Sequence, residues 1–255
     1  MPRFFVRSTQ ISDGLVTLTG DDAHHISRSL RMAAGEHITV CDMQRIEYDC
    51  LLEEFLPECV RARILSATPS ATEPPFDALL LQALPKGDKL DSIIQKAVEC
   101  GASEILPFES ERCVVRLKPE AEAKKTERRS RIALEAAKQC GRSLLPTVHP
   151  STSFEEALSR AVEADLALFC YEGDGTLPLG KVLREHPLTP REGRPPRVSL
   201  MIGSEGGFSQ TEAARAIAAG MIPVGLGARI LRTETAAAFV LACLVYECEL
   251  SPLDI

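Results

Sequence analysis

The chain has 255 residues, 45% of them hydrophobic, and a formal net charge of −7, enough to bury one large core or one core plus a small module. That acidity excludes a protein that coats nucleic acid by bulk attraction, because phosphate contacts need clustered Lys and Arg. Met1 to Val6 lacks the basic start and apolar core of a secretory signal, and no 18 uninterrupted apolar residues occur, so a cytoplasmic chain without a membrane span is expected.

Residues 1–70 read as short strands at Leu15–Leu18, Glu36–Cys41, Tyr48–Leu52 and Val60–Leu65, with a short helix over Asp21–Met32. Strands at this spacing, split by turn residues, predict a small β-barrel. The stretch Ala67–Pro75 carries proline and small polar residues without periodicity, the signature of a linker. From residue 71 to 255 the pattern changes to alternating strands and helices. Phe76–Leu84 is an apolar run fit for a buried strand, and Leu90, Ile93, Ile94, Ala97 and Val98 then share one helical face, capped by Asp88 and ended by Gly101. Glu104–Pro107 is the next strand, a long basic helix runs through Arg131 to Gln139, and Ala164–Cys170 and Val198–Ile202 are further buried strands. Arg184–Arg197 reads as an exposed loop. A parallel α/β sheet follows from this alternation.

Nine cysteines are scattered singly, with no Cys-x-x-Cys pair, so neither a disulfide framework nor a zinc site is expected, and no metal of any kind. Charge is unevenly spread: between Leu84 and Leu145 thirteen Lys or Arg face ten Asp or Glu, which leaves room for a local basic face in an acidic chain.

Two segments carry chemistry. In the first, the strand Val198–Ile202 runs into Gly203-Ser204-Glu205-Gly206-Gly207-Phe208, after which Ser209 and Glu212 form a capping box that opens a helix. Such a turn lies at the C-terminal end of a strand, where open α/β sheets bind ligands. Its backbone N–H groups can hold a nucleotide-like ligand, or it is a tight turn that holds nothing. It matches neither the P-loop nor the Gly-x-Gly-x-x-Gly spacing. In the second, a short strand ends at Gly225 and Leu226-Gly227-Ala228-Arg229-Ile230-Leu231-Arg232 leads to a helix beginning near Thr233. Its apolar pair can sandwich a ring, or it is a packing loop.

Together these segments resemble the SPOUT methyltransferases, and within them the RsmE-type 16S rRNA uridine-N3 methyltransferases. Residues 202–209 with Glu212, and residues 226–236, reproduce two motifs of that family with one change, Ser204 in place of proline. The likeness extends to Pro2-Arg3-Phe4-Phe5, to His25–Met32 with Gly35, to Lys86–Leu90 and Gln95–Ala97, to Pro107 with Glu111-Arg112, and to Glu135–Ala137 with Gln139–Arg142 and Pro146. A second departure is Asp42-Met43-Gln44-Arg45, where the family has Asp-Gly-x-Gly.

The resemblance implies a trefoil-knotted parallel-sheet domain at 71–255 preceded by a PUA-like β-barrel at 1–70. It implies S-adenosylmethionine (SAM) as cofactor, held by Phe169, Ile202, Gly203, Glu205, Gly206, Leu226, Gly227, Arg229, Ile230, Leu231, Thr235 and Ala236. The substrate would be 16S rRNA or the small ribosomal subunit, gripped by Arg3, Arg28 and Arg31 on the barrel and by Lys86, Lys89, Arg112 and Arg142 on the larger domain. Deprotonating uridine N3 leaves negative charge on two ring carbonyls, so a cation beside them helps. Arg232 is the candidate, unless a salt bridge to a carboxylate such as Glu234 claims it. Glu205 either orients the uridine, accepts its proton, or bonds to loop N–H groups. The last helix, from Thr235 to Tyr246, is apolar on nearly every face. It is therefore either central in its own subunit or covered by a second one. The resemblance favours a homodimer in which Phe239, Leu241 or Leu244 meets the partner. The rival readings are an RNA-binding protein of the same fold without catalysis, hinted at by Ser204, and an enzyme of a different nucleotide.

Overall fold

The computed structural model describes residues 1–117, 119–191 and 193–250. These fall into two compact units, Met1–Glu73 with Ala137–Leu145, and Pro74–Ala136 with Pro146 onward.

The first unit contains β1 (Arg3–Phe5), β2 (Ile11–Ser12), β3 (Leu15–Thr19), α1 (Gly20–His24), β4 (His37–Cys41), β5 (Ile46–Phe55) and β6 (Cys59–Pro69). They form one six-stranded sheet in the order β1-β4-β5-β6-β3-β2, antiparallel apart from the β1–β4 pair. Strand alternation decides what faces inward: Val16 and Leu18 on β3, Ile38 and Val40 on β4, and Val60 and Ala62 on β6 are buried with Phe4 and Ile26 in one core. Two register shifts in the β5–β6 pair, at Asp49/Cys50 and Leu52/Glu54, curl the sheet. The helix expected over Asp21–Met32 is shorter: α1 passes into a π-helical turn at His25–Ser29.

The Asp42–Arg45 turn survives without its glycines. Met43 and Arg45 adopt φ of 60° and 66°, left-handed values that favour glycine, at the two places where the related pattern has it. Asp42 holds the turn instead: Oδ1 accepts from the N–H of Gln44 (2.7 Å) and Ile46 (3.2 Å), and Oδ2 from the Tyr48 hydroxyl (3.2 Å).

The expected linker Ala67–Pro75 needs correcting. Ala67–Pro69 continues β6 and pairs with Ile46–Tyr48. Glu73 is buried, with the Arg142 guanidinium at 2.7 Å and the N–H groups of Ser143 and Leu144 at 2.7 and 2.9 Å. Small polar residues and prolines read as aperiodic because their partners are distant in the chain, 23 positions away for Ser70 with Glu47 and 69 for Thr72 with Gly141.

The second unit contains β7 (Asp77–Ala83), α2 (Lys89–Glu99), β8 (Ala102–Glu109), most of α3 (Pro119–Cys140), β9 (Thr147–Val148), β10 (Thr152–Ser153) and α4 (Phe154–Ala161). There follow β11 (Leu166–Cys170), β12 (Leu177–Pro178), α5 (Leu179–Glu185), β13 (Arg197–Ile202), α6 (Gln210–Ala218), β14 (Ile222–Gly225) and α7 (Thr233–Val245). The eight strands are parallel, in the order β10-β8-β7-β13-β11-β14-β12 with β9 beside β8. A parallel sheet is covered on both faces, which is why β7, β11 and β13 read as mostly apolar runs. Asp88 does stand before α2, but its side chain makes no cap hydrogen bond. The expected loop Arg184–Arg197 is shorter, since Arg184 lies in α5 and Arg197 opens β13. Asp165 ties it down, accepting from Arg194 (2.8 Å) and Arg191 (3.3 Å); with Arg194 foremost, these bonds pull the carboxyl down to about 2.

The closing helix α7 packs on α2, β13 and β7. Val240, Leu241 and Leu244 are each fully buried in their own chain. Leu241 and Leu244 therefore do not face outward as expected. What α7 exposes is one stripe, Thr235, Phe239 and Ala242, continued at helical spacing by its C-cap residue Tyr246. No helix among the described residues is long and apolar enough to cross a membrane.

Candidate functional site

In the second unit β13 lies between β7 and β11, strands distant from it in sequence on one side, so the chain order reverses there. Crevices at such points, beyond the C-terminal strand ends, are where open α/β sheets take ligands. The segment after β13 is built as its sequence indicates. Ser209 accepts from the N–H of Glu212 and the Glu212 carboxylate accepts from the N–H of Ser209 (2.9 Å), a complete capping box. The second oxygen of Glu212 accepts from the N–H of Glu111 (2.8 Å), so the same carboxylate also fastens the loop after β8.

The turn itself leaves no room. Gly207 has φ of +64° and donates its N–H to the Ser204 carbonyl (2.9 Å). A Cβ on Gly203 would stand 3.1 Å from the Cα of Gly207 and 3.2 Å from the Phe208 ring, and one on Gly206 would stand 3.1 Å from Arg112. Beneath the turn, the Phe208 ring packs on Phe169 (4.6 Å between centroids), Phe154 (6.3 Å) and Phe108 (6.4 Å). Phe169 is fully buried in this cluster, so its side chain supports the turn from below.

Three residues expected at an RNA face gather at this turn. The Glu205 carboxylate accepts from the N–H of Lys86 (3.2 Å) and from Lys89 Nζ (2.8 Å), and Lys89 also reaches Glu234 at 3.4 Å. Arg112 donates to the Gly206 carbonyl (3.1 Å). Burial alone would raise the Glu205 carboxyl, but the Lys89 ammonium and the Lys86 N–H outweigh it and hold it below the usual carboxylate range. Glu205 is thus an ionised, already bonded anion at neutral pH, a poor proton acceptor. It does bond to a loop N–H, that of Lys86 in the loop after β7.

The second segment meets the first. Thr233, the first residue of α7, is buried and donates its hydroxyl to the Gly203 carbonyl (2.6 Å). Gln82, fully buried at the end of β7, donates to Thr233 Oγ1 (2.9 Å). Sequence reasoning passed over both, although Gln82 is the one polar residue in the apolar stretch Ala78–Leu84. Between β14 and α7, Gly227 has φ of +101°, Ile230 is 82% exposed, and Arg229 and Arg232 are both exposed. Arg232 makes no salt bridge within 4.0 Å among the described residues; Glu234, its suggested partner, lies against Lys89 at 3.4 Å, and its own backbone N–H foremost, then the charges of Lys89 and Arg232, lower its carboxyl. Thr235 is exposed and Ala236 buried. Among the described residues no group of three or more His, Cys, Asp or Glu is placed to hold a metal.

In the first unit Arg28 and Arg31 are exposed. Arg3 is mostly covered and bonds to Glu47 (3.1 Å). Arg142 is 3% exposed and clamped by Glu73, so its guanidinium is not presented to a phosphate.

Ser204 is buried, and its hydroxyl has no partner among the described residues. Ser204→Pro removes that orphan group and restricts the unfolded chain, an effect of about 0.4–1 kcal/mol where the backbone suits proline. The expected result is a higher melting temperature; a clearly lower one would mean that the turn's backbone at this position does not accept proline.

Residues 72–245 match the family described as RNA methyltransferase domain. The chain is 34% identical, over 98% of each sequence, to a protein of Bacillus subtilis named ribosomal RNA small subunit methyltransferase E. A protein of the same name from Synechocystis is also 34% identical, over 94% of this chain and 76% of its own. The crystal structure of a ribosomal RNA small subunit methyltransferase E from Neisseria gonorrhoeae, bound to S-adenosyl methionine, superimposes with a TM-score of 0.80 at 32% identity, covering 96% of this chain and 97% of that one.

Proposed function

This chain belongs to the family of RNA methyltransferases named ribosomal RNA small subunit methyltransferase E, and from that premise we propose that it methylates N3 of a uridine in 16S rRNA, in the cytoplasm, with SAM as methyl donor. The observation that carries this reading is the junction at the C-terminal end of the parallel sheet, where the close-packed turn at Gly203–Phe208 is tied to the start of α7.

SAM bound there supplies a methyl group on a sulfonium. The residues fit such a ligand: glycines that a side chain would crowd, an exposed apolar Ile230, and backbone at Gly227 that only glycine adopts without strain. Ile202, Gly203, Gly206, Leu226, Gly227, Arg229, Ile230, Leu231, Thr235 and Ala236 hold it, with Glu205 braced by Lys89 at the rim and Phe169 beneath. Methyl transfer is an in-line displacement, so these residues act chiefly by holding the donor and keeping water out. Arg232 faces the charge that develops on the uridine carbonyls, and Glu205 orients the base.

In fold terms the proposal is a trefoil-knotted SPOUT domain at 71–255 and a PUA-like barrel at 1–70 that binds RNA. Arg28 and Arg31 then contact phosphate, as do Lys86 and Arg112 around the turn, while Lys89 braces Glu205 and Arg3 and Arg142 shape the first unit. Arg28→Ala with Arg31→Ala should weaken binding to the small subunit and flatten its salt dependence by roughly 0.7–0.9 in log–log slope for each phosphate left without its cation, with SAM affinity constant. Equal binding at every salt concentration would remove the first unit from the RNA interface.

The enzyme works as a homodimer joined through the exposed stripe of α7. Phe239→Glu, at a position outside the chain's own core, should give a folded monomer that loses methylation, because a charge buried unpaired breaks an apolar interface. An active wild-type monomer in sedimentation at micromolar concentration would sink this part. The function as a whole is tested by incubating small ribosomal subunits with labelled SAM and mapping the label. RNA binding with neither SAM binding nor methyl transfer would instead identify an RNA-binding protein without catalysis.

A further inference from the structure

Gln82 is a polar residue where the sheet calls for an apolar one. It stands near the end of β7, flanked by Leu79, Leu80, Leu81 and Ala83, pairs in register with Ile202 on β13 and Pro107 on β8, and is fully buried. Burying an amide is unfavourable unless it is hydrogen-bonded, and this amide is bonded on one side only. Nε2 donates to Thr233 Oγ1 (2.9 Å), to the Ala83 carbonyl (3.0 Å) and, more weakly, to the Gly203 carbonyl (3.4 Å), while Oε1 is buried with no partner among the described residues. The facing carbonyls fix which end is the NH2 group.

The bonds run in one direction. Gln82 gives a hydrogen to the Thr233 hydroxyl, and that hydroxyl gives its own to Gly203 (2.6 Å). Each donation polarises the next group, so the chain is stronger than its parts. It joins the end of β7, the first residue of α7 and the first residue of the glycine turn, three segments of which the outermost two lie 151 positions apart. On its other side Gly203 packs so near Gly207 and Phe208 that a Cβ there would crowd both, so the clamp sets how far the turn stands from the α7 start.

Building on the cofactor site proposed above, we propose that Gln82 is a positioning residue for SAM: acting through Thr233, it holds the turn after β13 and the N-terminus of α7 at the spacing the cofactor requires. It touches no reacting atom. Its effect is on the shape of the site, and therefore on SAM affinity before it is on turnover.

The test is calorimetric SAM binding on the full-length chain, with circular dichroism as a folding check. Gln82→Met keeps size and removes the donor, Thr233→Val keeps shape and removes the hydroxyl, and Thr233→Ser keeps the hydroxyl. Gln82→Met and Thr233→Val should each weaken SAM at least tenfold, Thr233→Ser should stay within about threefold of wild type, and the Gln82→Met/Thr233→Val double variant should be little worse than either single one. If Gln82→Met does not fold, the Thr233→Val and Thr233→Ser pair decides by the same criterion. Wild-type affinity in Gln82→Met or in Thr233→Val, or equal loss in Thr233→Ser and Thr233→Val, would overturn the inference alone. A wild-type chain that binds no SAM would overturn the proposed cofactor, and this inference with it.

Discussion

Arg232→Ala is expected to slow methyl transfer by roughly 10²–10³-fold, the usual loss when one preorganised donor to a developing anion is removed, while SAM affinity stays near wild type. In the proposed reaction the uridine ring sheds its N3 proton, and the charge left behind spreads over two carbonyl oxygens. Arg232 is the N-cap residue of α7, exposed and in no salt bridge within 4.0 Å among the described residues. The positive end of the helix dipole adds to its field. Lys89 has the same charge but stands against Glu205 and Glu234, so it is already neutralised. Single-turnover rates at saturating SAM and RNA separate the possibilities. A fall in the rate constant alone supports charge stabilisation, and a rise in the RNA concentration needed, with the rate unchanged, would make Arg232 a docking residue. Arg232→Lys should recover only part of the rate, because an ammonium cannot offer two parallel N–H groups to two oxygens.

Glu73→Ala should destabilise the chain by about 3–5 kcal/mol, the range found when one partner of a buried ion pair is removed. The side chains of Glu73 and Arg142 are only 1% and 4% exposed, so the guanidinium left behind has little access to water. Replacing both residues by methionine should be far milder than the single change. The pair also sets an acid limit. Burial alone would raise the Glu73 carboxyl, but Arg142 and the N–H groups of Leu144 and Ser143 hold it below its ordinary value. A carboxyl depressed on folding contributes stability that is fully present above its unfolded pKa and is lost as pH falls through its folded one. Urea denaturation between neutral pH and pH about 3 should show this slope in the wild type and a shallower one in Glu73→Gln. Equal slopes would mean that Glu73 does not titrate differently on folding.

Patterns confined to a few neighbouring residues were legible in the sequence. Apolar runs marked β7, β11 and β13 because a parallel sheet is covered on both faces. The Ser209–Glu212 box marked the start of α6 because its partners are three residues apart. The two glycine-bearing segments, read with the family they resemble, pointed to the region where the site stands. Whatever depended on distant partners was decided by the tertiary structure alone. Glu73 reads as part of a linker until Arg142 is beside it, and Arg142 reads as a surface cation until Glu73 is. Lys89 looks like a phosphate ligand and is held by Glu205 and Glu234. Leu241 and Leu244 lie on a helix apolar all round, and only its packing on α2 and the sheet selects which stripe stays exposed. Gln82 and Thr233, 151 positions apart, gain meaning only where the parallel order of β7 and β13 brings their segments together. Local periodicity reports which face of an element is apolar; it carries no information about which distant side chain will neutralise a charge or satisfy a buried amide.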